Sequence, residues 1–136
     1  MRKLPVLIAA TAVVVVSVGA VTAHAVTSSN AVSVKLDEFN VNPAVQGARA
    51  GKVTFALKNT GKAEHEFVVL RTLKAAGSLA LGGGEAGEAG NVGEVGSVKP
   101  GQQKKLTLTL AKGHYSLICN LPGHYAGGQF ADFYVR

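Results

Sequence analysis

Between Cys119 and Phe130 the chain reads CNLPGHYAGGQF, which sets one thiol at Cys119, one imidazole at His124 and one amide at Gln129 at steps of five residues. Thiolate, imidazole and a neutral third donor suit a soft-to-borderline metal. Copper that alternates between Cu(I) and Cu(II) is well served by two imidazoles and a thiolate, with a weak axial donor. The segment is one imidazole short. Of the other histidines, His24 falls in the N-terminal apolar segment and His114 in the turn Lys112-Gly113-His114. His65, after the turn Asn59-Thr60-Gly61 and at the head of the apolar run Phe67 to Leu70, is the natural second imidazole. His114 is separated from Cys119 by a whole strand, about 16 Å, and is expected as an exposed turn residue at the opposite end.

Cys119 is the only cysteine, so it has no disulfide partner within the chain. It is buried and inert, reactive, or bound. A free exposed thiol would be lost to oxidation outside the cytoplasm, which favours a protected or metal-bound sulfur. That compartment is indicated by the first 25 residues. Arg2 and Lys3 precede an apolar run from Leu4 to Val21, and Ala23-His24-Ala25 fits a small-x-small cleavage site. Residues 1–25 are read as a signal peptide, with an uncleaved membrane anchor through residues 4–21 as the rival. Either places the rest, a connector over 26–30 and one domain over 31–136, on the outer side of a membrane. Cleavage would lower the formal charge from +6 to +4 by removing Arg2 and Lys3. The remaining cations are scattered, without the aromatic-interleaved basic stripe that holds nucleic acid.

Short alternating segments supply the scaffold. Val32, Val34 and Leu36 alternate, as do Val53, Phe55 and Leu57, and later Leu106, Leu108 and Leu110. Tyr115, Leu117 and Cys119 follow the turn at Lys112-Gly113, and the chain ends on an apolar segment from Phe130 to Val135. With turn residues between them, these predict an all-β antiparallel sandwich or barrel. Leu73 to Leu81 is compatible with one short helix. Glycines at 84, 87, 90, 93 and 96 recur every third residue, but without proline and over too short a run for a collagen helix. A glycine-rich loop over 82–101 is expected, with Glu85, Glu88 and Glu94 as solvated charge.

The segments NTGKAEHEF around His65 and VKPGQQKKLTLTLAKGHYSLICNLPGHYAGGQF near the end resemble the small blue (type 1) copper proteins of the cupredoxin family. The resemblance covers roughly residues 31 to 136 and is strongest in the last third. It implies a Greek-key β-sandwich and one mononuclear copper. It places His65, Cys119 and His124 on the three equatorial ligands and Gln129 where most members carry methionine. Met1 is the only methionine of this chain. An amide oxygen in that position implies a lower reduction potential, since a harder donor favours Cu(II).

The resemblance further implies a monomeric electron carrier. Its outlet would be His124, and donor and acceptor proteins would dock near His124 and Tyr125. It also implies backbone N–H groups near His65 donating to the sulfur. A copper carrier of the cell envelope is the alternative, although the Met- or His-rich runs of such proteins are absent. An enzyme is not expected. The chain lacks the His-x-His pairs of a trinuclear centre and the two cysteines of a binuclear one, and a cysteine hydrolase would leave His65 and Gln129 unexplained.

Overall fold

Val32, Val34 and Leu36 are buried on β1 (Ala31–Asp37) in the computed structural model, which describes residues 30–136, while Ala31, Ser33 and Lys35 face outward. Val53, Phe55 and Leu57 do the same on β4 (Gly51–Asn59). These strands join β2 (Asn40–Pro43) and β9 (Gln103–Leu110) in a four-stranded sheet of order β2-β1-β4-β9. The second sheet contains β3 (Gly47–Ala48), β5 (His65–Arg71), β8 (Asn91–Val98), β10 (Gly113–Ile118) and β11 (Phe130–Val135), in the order β3-β11-β10-β5-β8. The sheets are mixed. β1 pairs parallel to β4 and β3 parallel to β11, while the remaining ladders are antiparallel.

The main core fills the space between the sheets, where Phe55 packs against Phe67 and Phe133 at ring-centroid distances of 5.2 and 5.4 Å. A second cluster lies on the other face of the five-stranded sheet. It joins Val68 and Leu70 of β5 and Ile118 of β10 to Ala86 and Tyr125. Burial on both faces is why β5 and the end of β10 read as continuous apolar runs instead of alternating ones.

That outer face is covered by the region expected to hold a helix and a loop. The helical part is a single 3-10 turn, Ala76–Ser78. The glycine-rich part is more ordered than a loop. It contains a two-stranded ribbon, β6 (Leu81–Gly82) with β7 (Glu85–Ala86), and the eight-residue β8. Gly93 on β8 shows one reason for the glycine: a Cβ there would lie 2.5 Å from a methyl carbon of Leu108. Among the described residues no helix is long and apolar enough to cross a membrane. The leader expected over 1–25, including the apolar run 4–21, lies outside the described residues.

Because Phe55 is fully buried among aromatic neighbours from the opposite sheet, Phe55→Ala should lower unfolding stability by about 3–5 kcal/mol. Urea denaturation followed by circular dichroism measures this. A loss below about 1 kcal/mol would show that the core closes around the gap.

Candidate metal centre

Strand parity brings the site together. Successive side chains of a strand point to opposite faces. On β5, His65 shares the inter-sheet face with Phe67 and Val69. Cys119, one residue past β10, continues the face of Tyr115 and Leu117, and Gln129, one residue before β11, precedes that of Ala131 and Phe133. β5, β10 and β11 are antiparallel neighbours, so the start of β5, the end of β10 and the start of β11 meet at one end of the sandwich. His124 comes from the connection between β10 and β11. That connection is held by backbone hydrogen bonds from Gln129 N to His124 O and from Cys119 N to Gln129 O, at 3.1 and 3.0 Å.

His65 Nδ1, Cys119 Sγ and His124 Nδ1 form a triangle with edges of 3.3 Å between the nitrogens, 3.9 Å from sulfur to His65 and 3.5 Å from sulfur to His124. The point equidistant from the three atoms lies about 2.1 Å from each, close to ordinary metal–nitrogen and metal–sulfur lengths of about 2.0 and 2.3 Å. Among the described residues this is the cluster of histidine, cysteine and acidic groups that could hold an ion.

Gln129 is fully buried beside the triangle, its Nε2 3.0 Å from His65 Nδ1 and 3.4 Å from the Asn40 carbonyl oxygen. Its Oε1 is buried without a hydrogen-bond partner. A half-turn of the terminal amide exchanges oxygen and nitrogen and directs that oxygen toward the cluster. The donor set therefore fits copper: two imidazoles, a thiolate and an amide oxygen in need of a partner.

The surroundings favour a bound cation. Burial pushes the Cys119 thiol above its ordinary value, opposed by backbone hydrogen bonds from Glu66 and Leu121. The Glu66 N–H donates to the sulfur at 3.3 Å, the contact expected from the segment after His65. Burial also holds His65 below the usual imidazole range. Glu38 pulls it up, while the neighbouring His124 pushes it further down. A neutral ring is the form that binds a metal.

His114 lies far from the cluster, as expected, but it is not an exposed turn residue. It is the second residue of β10, paired with Tyr134, and is largely buried, with Nε2 2.8 Å from Asp132 Oδ1 and Nδ1 2.6 Å from the Thr72 carbonyl oxygen. Tyr125, expected in a docking patch, is buried. Its hydroxyl donates to Ala76 O at 2.6 Å and accepts from Leu79 N at 2.9 Å, so it ties the site loop to the 3-10 turn.

Asn120 is a residue that the sequence reading missed. Its side chain accepts from Ala86 N at 2.6 Å and donates to Ala86 O at 2.9 Å and to Glu88 Oε1 at 2.8 Å. This docks the glycine-rich segment beside Cys119. The one signal in the sequence is that Asn120 adjoins the cysteine. The turn Glu38 to Asn40 was missed too, as nothing in its composition announces its proximity to the site.

A family model for the cupredoxin-like domain matches residues 7–131. No curated protein sequence matches the chain. Among solved structures, sodium-dithionite-reduced auracyanin from the photosynthetic bacterium Roseiflexus castenholzii superposes with a TM-score of 0.62 at 22% identity, over 79% of this chain and 98% of that one. Rusticyanin from Thiobacillus ferrooxidans gives 0.61 at 21% identity, over 78% and 76%. Auracyanin A, a blue copper protein from Chloroflexus aurantiacus, gives 0.57 at 20% identity, over 78% and 98%. At these identities the likeness is one of fold.

Removing the Asn120 amide strands the buried Ala86 N–H and C=O, a cost of about 1–3 kcal/mol. Asn120→Ala should therefore speed hydrogen exchange at the Ala86 amide while the amides of β5 and β10 keep their protection. Unchanged exchange at Ala86 would mean that other contacts hold the segment.

Proposed function

The chain belongs to the cupredoxin-like family, and from that premise we propose that it carries single electrons between redox proteins outside the cytoplasm. Its cofactor is one mononuclear type 1 copper. The reading assigns His65, Cys119 and His124 as equatorial ligands and Gln129 as the axial one. The observation that carries it is the triangle of two imidazole nitrogens and one sulfur with edges of 3.3 to 3.9 Å. Bound there, copper supplies one-electron exchange between Cu(II) and Cu(I).

The protein's own groups then have separate tasks. The strand ends of β5, β10 and β11 hold three of the donors on one rigid sheet, which limits their movement when the charge changes. The Glu66 N–H, donating to Cys119 Sγ, keeps the sulfur's lone pairs directed and moderates its electron donation. Gln129, through a harder oxygen than a thioether sulfur, favours Cu(II).

His124 is the proposed outlet. Of the residues assigned as ligands it is the one that is partly exposed, and Phe39 and Pro122 beside it reach solvent. A partner would dock on this small apolar rim rather than on Tyr125. Burial of His65, Cys119 and Gln129 weighs against a carrier that hands its copper on, because release would require opening the sandwich end. Export through the N-terminal leader over residues 1–25, with a monomeric domain over 31–136, belongs to the same proposal, and the burial of Cys119 is what would protect a free thiol there.

Adding Cu(II) to the purified full-length chain should produce the intense visible thiolate-to-copper absorption of a type 1 site, and Cys119→Ser should abolish it. A colourless wild-type complex would refute the assignment. Gln129→Met should raise the reduction potential measured by protein-film voltammetry; an unchanged potential would mean that the amide is not a ligand.

A further inference from the structure

We propose that Glu38 is a positioning residue for His65, and that the turn Glu38 to Asn40 straps three of the four site residues in place. The inference rests on the copper reading above. Three consecutive residues each reach a different member of the site. Glu38 Oε1 lies 3.4 Å from His65 Nε2. The Phe39 ring stands edge-on to His124, with centroids 6.0 Å apart and planes at 88°. The Asn40 carbonyl oxygen lies 3.4 Å from the terminal amide of Gln129.

The Glu38 carboxylate is itself fixed by the turn that delivers His65. Its Oε1 accepts from the backbone N–H of Lys62 at 2.7 Å and of Ala63 at 2.5 Å. Gly61 leaves room for it, since a Cβ on that residue would lie 2.6 Å from both carboxylate oxygens. The carboxylate is thus anchored to the same short turn as the ring it faces. Asn59 closes this turn from the inside, through Ala63 O and Gly61 N. Glu38 closes it from the outside.

The ring nitrogens define what Glu38 does. Nδ1 of His65 points into the cluster, toward the sulfur and His124, while Nε2 points at the Glu38 carboxylate, so the ring proton belongs on Nε2. Nε2 is fully buried and has no partner in hydrogen-bond geometry; at 3.4 Å the Glu38 carboxylate is the acceptor it faces. A small ring tilt turns that contact into a hydrogen bond. A carboxylate on the far nitrogen holds the tautomer and makes the near one a stronger donor. Its negative charge also favours the higher oxidation state of the metal. Glu38 therefore lowers the reduction potential and strengthens copper binding without touching the ion.

Glu38→Gln in the copper-loaded full-length chain tests this, because it keeps an acceptor oxygen for Lys62 and Ala63 while removing the charge. The potential should rise and the apparent Cu(II) affinity fall about 10–100-fold. Gly61→Ala, which displaces the carboxylate, should shift both in the same direction, and Glu38→Asp should recover part of the change. A purely structural Glu38 would alter unfolding stability alone; variants that match the wild type in both potential and affinity would overturn the inference. Nitrogen-15 spectra of the metal-free chain separate this from failure of the copper reading. They should place the His65 proton on Nε2 and show its signal moving in Glu38→Gln. A proton on Nδ1 in the wild type would overturn the positioning role whatever the chain does with copper.

Discussion

The central strands of the five-stranded sheet, β5 and the end of β10, which deliver His65 and Cys119, are buried on both faces, and a separate stretch of chain covers the second of them. A sheet in a sandwich normally shows one face to water, so its strands can stay polar on alternate residues. Here Val68, Leu70 and Ile118 point away from the main core and still escape solvent. The cover comes from residues 72–90 and from Tyr125 of the site loop. Its few polar anchors are specific: the Tyr125 hydroxyl on the turn Ala76–Leu79, Asn120 on Ala86, and Gly123 N on Gly84 O at 2.9 Å. The cover and the site loop therefore stabilise one another.

Charge is arranged around the same sheet end. A buried thiolate without a cation is costly, and two backbone N–H groups offset only part of that cost. Acidic groups lie on either side. Glu38 is held below the usual carboxylate range, above all by the Ala63 N–H, and stays ionised beside His65. Glu66, next to Asn120, is raised by burial and then, against the Asn120 N–H, by the nearby Glu88, Glu94 and Glu85. Two of these glycine-segment glutamates are more than solvated charge: Asn91 Nδ2 donates to Glu88 and to Glu94 at 2.9 and 2.8 Å. The thiolate and the carboxylates together make the region around the triangle one that a divalent cation stabilises.

The residues of the site were legible because their types are scarce. One cysteine and three histidines after residue 25 leave few combinations, and the five-residue steps narrow them further. The strands with one covered face were legible from alternation, as on β1, β4 and β9. What escaped has no local signature. Strands of two residues, such as β3 and β6, exist only through their partners, and parallel pairing of β1 with β4 depends on a connection that sequence does not display. Tyr125 was misplaced because an aromatic beside a surface loop looks the same whether its ring turns outward or inward. The glycine spacing misled in a similar way, since Gly93 answers to Leu108 from another strand rather than to a period.

Register is what converts this scaffold into a site. Ile118 pairs with Val68 and with Phe130, which sets Cys119, His65 and Gln129 just beyond or at the ends of their ladders. A slip of one residue in β5 would move His65 by about 3.3 Å and turn its ring to the opposite face, away from the sulfur. The edge strand absorbs the irregularity instead. Between the pairs His65–Val98 and Phe67–Val95 the ladder shifts, with β8 carrying one extra residue and Ser97 at a φ of 56°. A bulge placed there leaves the central pair of β5 and β10 in step while letting the edge bend around the turn before His65. The donor atoms inherit their spacing from the central pair, so the strands with the most regular pairing are also those that fix the triangle.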